Sequence, residues 1–190
     1  MKTTQKICLI GGTFDPIHLG HTYIAEKCHR ELGMSKIIFL PCKQSPHKLS
    51  KENAPNHHRL TMCKLATSSL PWALVDDYDL TAPAPSYSWR TAEYMQKKYP
   101  NAELYWLMGT DQWEAILKWD RAEYLATLVN FIVITRGATT PFPIKNFSFI
   151  PLRGSHSASA TSIRKSSSSA SSTAYLHPKV LTYIKKNQIY

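Results

Sequence analysis

The sequence of 190 residues has no apolar run long enough to cross a membrane, because uncharged apolar stretches such as Phe131–Ile134 are only a few residues long. On similar grounds we expect no signal peptide. Only a short apolar segment, Ile7–Ile10, follows the polar start of the chain before the first glycine. We therefore expect a cytoplasmic protein with no membrane partner.

Cysteine is scarce and unpaired in the sequence: Cys8, Cys28, Cys42 and Cys63 include no Cys-x-x-Cys pair. In a reducing compartment this pattern favours free thiols, and we expect three of them to be buried or half-buried. A zinc site beginning at Cys28 and its neighbour His29 is the alternative, but further ligands at zinc-site spacing are missing. We predict no metal site built from protein ligands.

Acidic residues are also few, since 13 Asp and Glu stand against 23 Lys and Arg, giving a formal net charge of +10. Such a charge is either a solvated basic surface or an attraction for polyanions such as ATP, a mononucleotide or pyrophosphate. Nucleic acid is the competing polyanion, but the sequence lacks a basic run interleaved with aromatic residues. We expect no nucleic-acid partner.

The remaining sequence alternates between apolar strand candidates and amphipathic helix candidates, and its length suits a single domain, 1–190. The predicted strands are Ile7–Ile10, Lys36–Leu40, Ala73–Val75, Leu104–Met108, Phe131–Thr135 and Phe147–Ile150. The predicted helices are Gly20–Leu32, His57–Ser68, Ser88–Lys98 and Arg121–Leu128, with a further helical stripe of Val180, Leu181 and Ile184. Alternation of this kind predicts an α/β fold: a Rossmann-like, doubly wound, mostly parallel sheet with helices on both faces.

Most of the polar residues of interest follow the strands that end at Ile10, Leu40 and Met108. Because ligands of such sheets bind at the carboxyl ends of the strands, these loops predict a site. The serine-rich stretch Ser155–Thr173 is the compositional exception, and a flexible linker is one interpretation of Ser166–Thr173.

The densest motif is Gly-Gly-Thr-Phe-Asp-Pro-Ile-His-Leu-Gly-His, residues 11–21. Glycines in a turn allow backbone N–H groups to approach a ligand, and a helix N-terminus behind them favours phosphate. His18 and His21 are three residues apart, which places them on one helical face. We expect Asp15 to cap this helix, with Pro16 in its first turn, and direct contact of Asp15 with a ligand is the alternative.

The motif fits neither the dinucleotide-binding glycine pattern nor the P-loop. It resembles the signature of the nucleotidyltransferases with an HxGH motif, and its full form is similar to that of nicotinate-nucleotide adenylyltransferases. The resemblance covers essentially the whole chain. It implies transfer of AMP from ATP to nicotinate mononucleotide, giving deamido-NAD and pyrophosphate, with Mg²⁺ on the ATP phosphates.

Adenylyl transfer needs alignment of the reactants and stabilisation of charge on the transferring phosphoryl group. We assign the catalytic role to His18 and His21, as hydrogen-bond donors rather than nucleophiles. Exposure of both histidines to water, or a metal site built on them, are weaker alternatives. The turn residues Gly11, Gly12, Thr13 and Phe14 are predicted to bind phosphate.

Two later loops are similar to family segments that bind substrate. Residues 41–48 carry Lys43, predicted to bind the mononucleotide, and Lys48, predicted to bind ATP phosphate; surface lysines are the alternative. Ser86, Tyr87 and Ser88 resemble a segment that holds the pyridine carboxylate through backbone amides, although Ser88 stands where threonine is usual. An N-cap role for Ser86 or Ser88 is the alternative.

Beyond the Leu104–Met108 strand, Asp111 is predicted to accept hydrogen bonds from ribose hydroxyls and Trp119 to stack on the pyridine ring. Trp106 and Trp113 are predicted to be structural, and the role of Arg59 stays open.

The segment 158–164 resembles the second family signature, with Ala158 in place of isoleucine. The resemblance implies that Thr161 and Arg164 hold the ATP phosphates from a helix start. The C-terminal part, 157–190, is then expected to complete the ATP site and to end in a helix.

Several alternatives stay open after this reading. Nicotinamide mononucleotide, alone or beside the acid, is the nearest alternative substrate. A pantetheine-phosphate adenylyltransferase, a non-catalytic nucleotide-binding protein and a basic RNA-binding protein are more distant. A homo-oligomer is compatible with the sequence, which does not specify the number of subunits.

Overall fold

The structure is a computed structural model that describes residues 4–46, 53–135, 140–165 and 173–190. Within these ranges six strands form one sheet in the order β3-β2-β1-β4-β5-β6, with every neighbouring pair parallel. The strands are β1 (Gln5–Gly12), β2 (Lys36–Pro41), β3 (Ala73–Val75), β4 (Ala102–Gly109), β5 (Asn130–Thr135) and β6 (Phe149–Arg153).

Helices connect the strands and extend beyond the last one. They are α1 (Leu19–Leu32), α2 (Asn56–Thr67), α3 (Tyr78–Thr81), α4 (Ser88–Lys98), α5 (Thr110–Glu114), α6 (Ala122–Leu128), α7 (Ala160–Lys165) and α8 (Pro178–Asn187), with a 3-10 turn at Ile116–Lys118. Among the helices that the structure describes, none is long and apolar enough to span a membrane.

The central strands are buried on both faces, and this divides the core in two. In β1, Cys8 and Ile10 pack into one cluster with residues of α1, α2 and α8, whereas Ile7 and Leu9 pack into the other with residues of α4, α5 and α6. Successive side chains of a strand point to opposite faces, so a strand covered on both sides must be apolar throughout. The predicted doubly wound α/β fold is confirmed.

The strand order locates the site. The chain builds outwards from β1 to β3 and then returns to the other side of β1 with β4. Helices on either side of this reversal leave a crevice at the carboxyl ends of β1 and β4, which is where ligands bind in such sheets.

The sixth strand differs from the prediction. It spans Phe149–Arg153, whereas the apolar run predicts Phe147–Ile150. Phe147 instead forms an isolated antiparallel bridge with Ile144 and is buried in the core. The strand continues through Pro151 because β6 lies at the edge of the sheet, where the missing N–H of proline does not interrupt a ladder.

The short helices α3 and α5 are absent from the predicted elements, since four or five residues carry too little periodicity to be recognised. The C-terminal helix is confirmed, with Val180 and Ile184 buried. The interpretation of Ser166–Thr173 as a linker falls, except for Thr173, outside the described residues.

All four cysteines are free thiols, as predicted, but all four are buried rather than three. In the described part of the chain, no cluster of three or more histidine, cysteine or acidic side chains is arranged to hold a metal ion.

Candidate active site

The glycines at the end of β1 are packed closely against aromatic rings. A Cβ on Gly11 would lie 3.0 Å from the ring of Trp106, and one on Gly12 would lie 3.0 Å from the ring of Phe14. Phe14 has a positive φ of 49° and is buried. The turn residues and these two aromatic residues line the cavity together.

The predicted cap of α1 is wrong. Helix α1 begins at Leu19 with His18 as its N-cap, so neither Asp15 nor Pro16 belongs to its first turn. Asp15 is instead only 3% exposed. Its Oδ1 accepts hydrogen bonds from the Ala54 N–H at 3.2 Å and the Tyr190 hydroxyl at 2.5 Å. These two hydrogen bonds join the buried Asp15 carboxylate to residues that are remote in sequence.

His18 and His21 form one unit at the start of α1. Their rings stack with centroids 3.7 Å apart, and the His18 backbone N–H donates to His21 Nδ1 at 3.2 Å. Because Nδ1 of His21 accepts, the hydrogen of its neutral ring lies on Nε2. Phe14 also contacts His21 edge-on, with 5.0 Å between the ring centroids, and restricts its ring further.

Burial keeps both imidazoles neutral. It lowers the pKa of His18 to about 4, and His156 nearby adds to the shift. Burial likewise lowers the pKa of His21 well below its usual value, with a further contribution from His18. At neutral pH these rings are neutral hydrogen-bond donors at a helix N-terminus, which suits phosphate oxygens.

A cavity of about 1030 Å³ lies at the carboxyl ends of the strands. It brings together the predicted site residues of the described chain with the exception of Lys43. Those lining it are Gly11, Gly12, Thr13, Phe14, His18, His21, Ser86, Tyr87, Ser88, Asp111, Trp119, Thr161 and Arg164. The volume is at the upper end of ordinary ligand pockets, as a two-substrate site requires.

The loop before α4 is organised around Ser86. Its hydroxyl donates to the Asp79 carbonyl oxygen at 3.1 Å and accepts from the Lys43 N–H at 3.2 Å, and its own N–H donates to the Gln44 carbonyl. Helix α4 begins at Ser88 with Tyr87 as N-cap, so neither serine is the cap. The N-cap interpretation of these serines is wrong.

The carboxyl group of Asp79 lies in the same wall of the cavity. It accepts a hydrogen bond of 2.5 Å from the Thr91 hydroxyl, yet burial raises its pKa to about 6. In the sequence, Asp79 lies in no motif that singles it out.

The two predicted lysines are not placed equally. Lys43 is exposed, and its backbone N–H, rather than its ammonium group, contacts the wall at Asp79 and Ser86. Lys48 lies outside the described residues.

The segment after β4 places one acid and one aromatic ring at the cavity. Asp111 lies in the first turn of α5, with its Oδ1 only 2.6 Å from where a Cβ on Gly109 would be. Trp119 follows the 3-10 turn and is half-buried against the core. Trp113 is fully buried, whereas Trp106 is buried and also lines the cavity.

Two arginines join the site loops. Arg59 is fully buried and donates to the carbonyl oxygens of Thr13 and Cys42 at 2.7 and 2.8 Å, which ties the ends of β1 and β2 together. Arg164 donates to the Asp15 carbonyl oxygen and to the Thr161 hydroxyl. Arg59, whose role the sequence left open, thus holds the backbone of the loops after β1 and β2.

Several lining residues escaped the sequence analysis. Thr135 ends β5 at the same sheet edge, so the strand-end argument could have selected it. Gly154 and His156 lie between β6 and α7, in a segment without a motif that would single them out.

Comparison with known proteins agrees with this geometry. A family model described as cytidylyltransferase-like matches residues 9–166. A Bacillus subtilis protein named nicotinate-nucleotide adenylyltransferase is 34% identical over 190 residues, covering 98% of each chain. The chain belongs to this adenylyltransferase family. The resemblance drawn from residues 11–21 is confirmed.

Further relatives of this adenylyltransferase family extend the agreement. A Methylacidiphilum infernorum protein, described as a probable nicotinate-nucleotide adenylyltransferase, is 37% identical, covering 100% of this chain and 94% of its own. The Plasmodium falciparum nicotinic acid mononucleotide adenylyltransferase complexed with NaAD superposes with a TM-score of 0.78 at 23% identity, covering 98% of this chain and 97% of its own. At that identity the superposition establishes the shared fold.

Proposed function

We propose that the protein transfers the adenylyl group of ATP to nicotinate mononucleotide, giving deamido-NAD and pyrophosphate. The observation that carries this proposal is the stacked, neutral pair of His18 and His21 at the head of α1, in a two-substrate cavity at the reversal of strand order. The family names of full-length relatives supply the substrate class.

In this reaction an oxygen of the mononucleotide phosphate attacks the α-phosphorus of ATP. The bond from that phosphorus to the bridging oxygen breaks, and pyrophosphate leaves with the electron pair. Little covalent help is needed, so the protein acts by alignment and by donors aimed at the developing charge. We assign that role to His18 and His21, assisted by the backbone N–H groups of Thr13 and Phe14 and by the N-terminus of α1.

The ATP phosphates are proposed to contact Thr161 and Arg164, which line the cavity from α7. Lys48 is proposed to approach from the loop after β2. Nucleotidyltransferases of this kind generally use a divalent metal with ATP. We propose that Mg²⁺ enters bound to the ATP phosphates, because this ion keeps most of its water and usually binds enzymes through substrate phosphates.

The mononucleotide is proposed to bind at the opposite wall. Since Ser86 N–H already donates to Gln44, the donors for the pyridine carboxylate are the N–H groups of Tyr87 and Ser88 at the start of α4. The first N–H groups of a helix lack partners within it and favour an anion. Asp111 would accept from the ribose, Trp119 would stack on the pyridine ring, and Lys43 would assist through its charge.

The test is release of pyrophosphate from ATP, compared across nicotinate mononucleotide, nicotinamide mononucleotide and phosphopantetheine. The amide presents an NH₂ to a backbone donor and leaves it unpaired, so the acid should have the larger kcat/KM by roughly ten- to a hundred-fold. Equal values for acid and amide would indicate dual specificity. Turnover with phosphopantetheine alone would replace the proposal, and no turnover with any acceptor would indicate a non-catalytic nucleotide-binding protein.

The remaining expectations concern the cell rather than the site. A cytoplasmic location, the absence of nucleic-acid and membrane partners, and the number of subunits stay predictions. The mass measured by size-exclusion chromatography would give the number of subunits and would reveal bound nucleic acid. Cell fractionation would give the location and any association with membranes.

A further inference from the structure

A third imidazole lies in the cavity with no role in the mechanism above. His156 belongs to the segment between β6 and α7 and lines the cavity. Its ring lies between two tyrosines, with centroid distances of 5.6 Å to Tyr23 and 5.9 Å to Tyr175. Two aromatic neighbours at these distances restrict how far the ring can turn.

His156 and His18, one of the two proposed catalytic histidines, both lie next to Gly20. A Cβ on Gly20 would lie 3.0 Å from Nδ1 of His18 and 3.4 Å from Nδ1 of His156. The two rings therefore approach the same point on the first turn of α1. Electrostatic repulsion from His156 also contributes to the lowered pKa of His18.

The hydrogen bond made by His156 fixes where its hydrogen lies. Nδ1 accepts from the Ala158 N–H at 3.1 Å, so the neutral ring carries its hydrogen on Nε2. A histidine held by Nδ1 in this way presents a single donor, Nε2–H, from a fixed ring. His21 has the same arrangement, with Nδ1 accepting and Nε2–H as donor.

We propose that His156 is a third imidazole of the ATP subsite and that its Nε2–H donates a hydrogen bond to an oxygen of ATP. The inference rests on the proposed function. It assigns the contact to ATP because His156 lies against Gly20 and Tyr23 of α1 and binds Ala158 in the segment leading into α7, and these two elements are proposed to hold ATP. The acceptor is an oxygen either of the leaving phosphates or of the adenylyl part.

The experiment tests the contributions of the two ring nitrogens of His156 separately. In His156→Asn, the side-chain oxygen can still accept from the Ala158 N–H, but nothing remains at the position of Nε2. In His156→Gln, an amide N–H reaches about as far as Nε2. For a hydrogen bond to a charged acceptor, the ATP KM should rise roughly 10- to 100-fold in His156→Asn and recover in part in His156→Gln. The KM for nicotinate mononucleotide and the melting temperature should stay near wild type.

His57→Asn is the matched control, because it makes the same change at an exposed histidine of α2 that does not line the cavity. Binding of inorganic pyrophosphate and of AMP to each variant then identifies the oxygen: loss of one or the other supports the proposal and locates the contact. An unchanged ATP KM in His156→Asn, or equal losses for both substrates with a lowered melting temperature, would overturn it. Failure of the proposed function is distinct, since the wild type itself would then not turn over nicotinate mononucleotide.

Discussion

The two walls of the cavity are built by different means. The histidine wall, residues 11–21, is fixed by packed rings: Phe14 contacts His21, and His21 stacks on His18. The serine wall, residues 79–88, is fixed by hydrogen bonds that converge on Ser86. In the proposed function, the first wall presents two imidazole side chains as well as backbone N–H groups, whereas the second presents mainly backbone N–H groups. Substitution should therefore be costly in the histidine wall and mild in the serine wall.

The largest effect is expected in the histidine wall. His18→Ala and His21→Ala should each lower kcat by about 10² to 10³, because each removes one fixed donor to the developing charge. Steady-state kinetics with saturating ATP and mononucleotide would measure it, with His57→Ala as the control. Wild-type turnover in either variant, at an unchanged melting temperature, would remove that histidine from the mechanism.

A smaller loss is expected from Arg164 of α7, which adjoins the histidine wall through Asp15. Arg164→Ala should raise the ATP KM roughly 10- to 100-fold, since a guanidinium forms charge-assisted and bidentate bonds with phosphate. Arg164→Lys should restore little of it. Because Arg164 also donates to the Asp15 carbonyl, a lower melting temperature should accompany the change. Unchanged ATP kinetics would place this arginine outside the reaction.

The serine wall and Trp119, on the side of the cavity proposed to bind the mononucleotide, should respond selectively. Trp119→Ala should weaken nicotinate and nicotinamide mononucleotide alike, by about ten-fold, because stacking does not distinguish acid from amide. Ser88→Ala should change either KM by less than about two-fold, because the backbone donor remains. Measured kcat/KM values for both acceptors test this contrast. An effect of Trp119→Ala confined to ATP, or a large effect of Ser88→Ala, would contradict it.

The smallest effect is expected on the stability of the protein at acidic pH. One titrating group in each wall should change the free energy of unfolding in opposite directions as the pH falls. His18, with a pKa lowered to about 4, binds a proton more readily when unfolded, so its contribution to stability is complete above about pH 6.5 and is lost towards pH 4. Asp79, with a pKa raised to about 6, binds a proton more readily when folded, so it costs stability above pH 6 and regains it on acidification.

Asp79→Asn removes the group that regains stability on acidification. The loss of stability caused by His18 should then no longer be offset. Between pH 7 and pH 5 its free energy of unfolding should fall by about 1 kcal/mol more than that of the wild type. Urea unfolding at a series of pH values measures the difference. Asp77→Asn, at an exposed carboxylate beside it, is the control. Parallel curves for Asp79→Asn and wild type would show that Asp79 titrates alike in both states.

The difference between local motifs and contacts remote in sequence explains which features of the site could be predicted. Motifs with strong local constraints, such as residues 11–21 and the strand ends, indicated the sheet and most of the cavity wall. Asp15 was assigned wrongly because its partners Ala54, Arg164 and Tyr190 are remote in sequence, and no local pattern encodes such a contact. His156 was missed for the same reason, since only the fold brings it to Gly20.

The contacts of Asp15 also bear on how the protein is made. Its carbonyl oxygen binds Arg164, 149 residues later, and its carboxylate binds Tyr190, 175 residues later. A ribosome delivers the chain from its N-terminus, so the glycine turn emerges well before the groups that hold it. A nascent chain can thus pair β1, β2 and β4 before its site is complete. Competence to bind ATP is therefore expected only after Arg164 and Tyr190 have emerged.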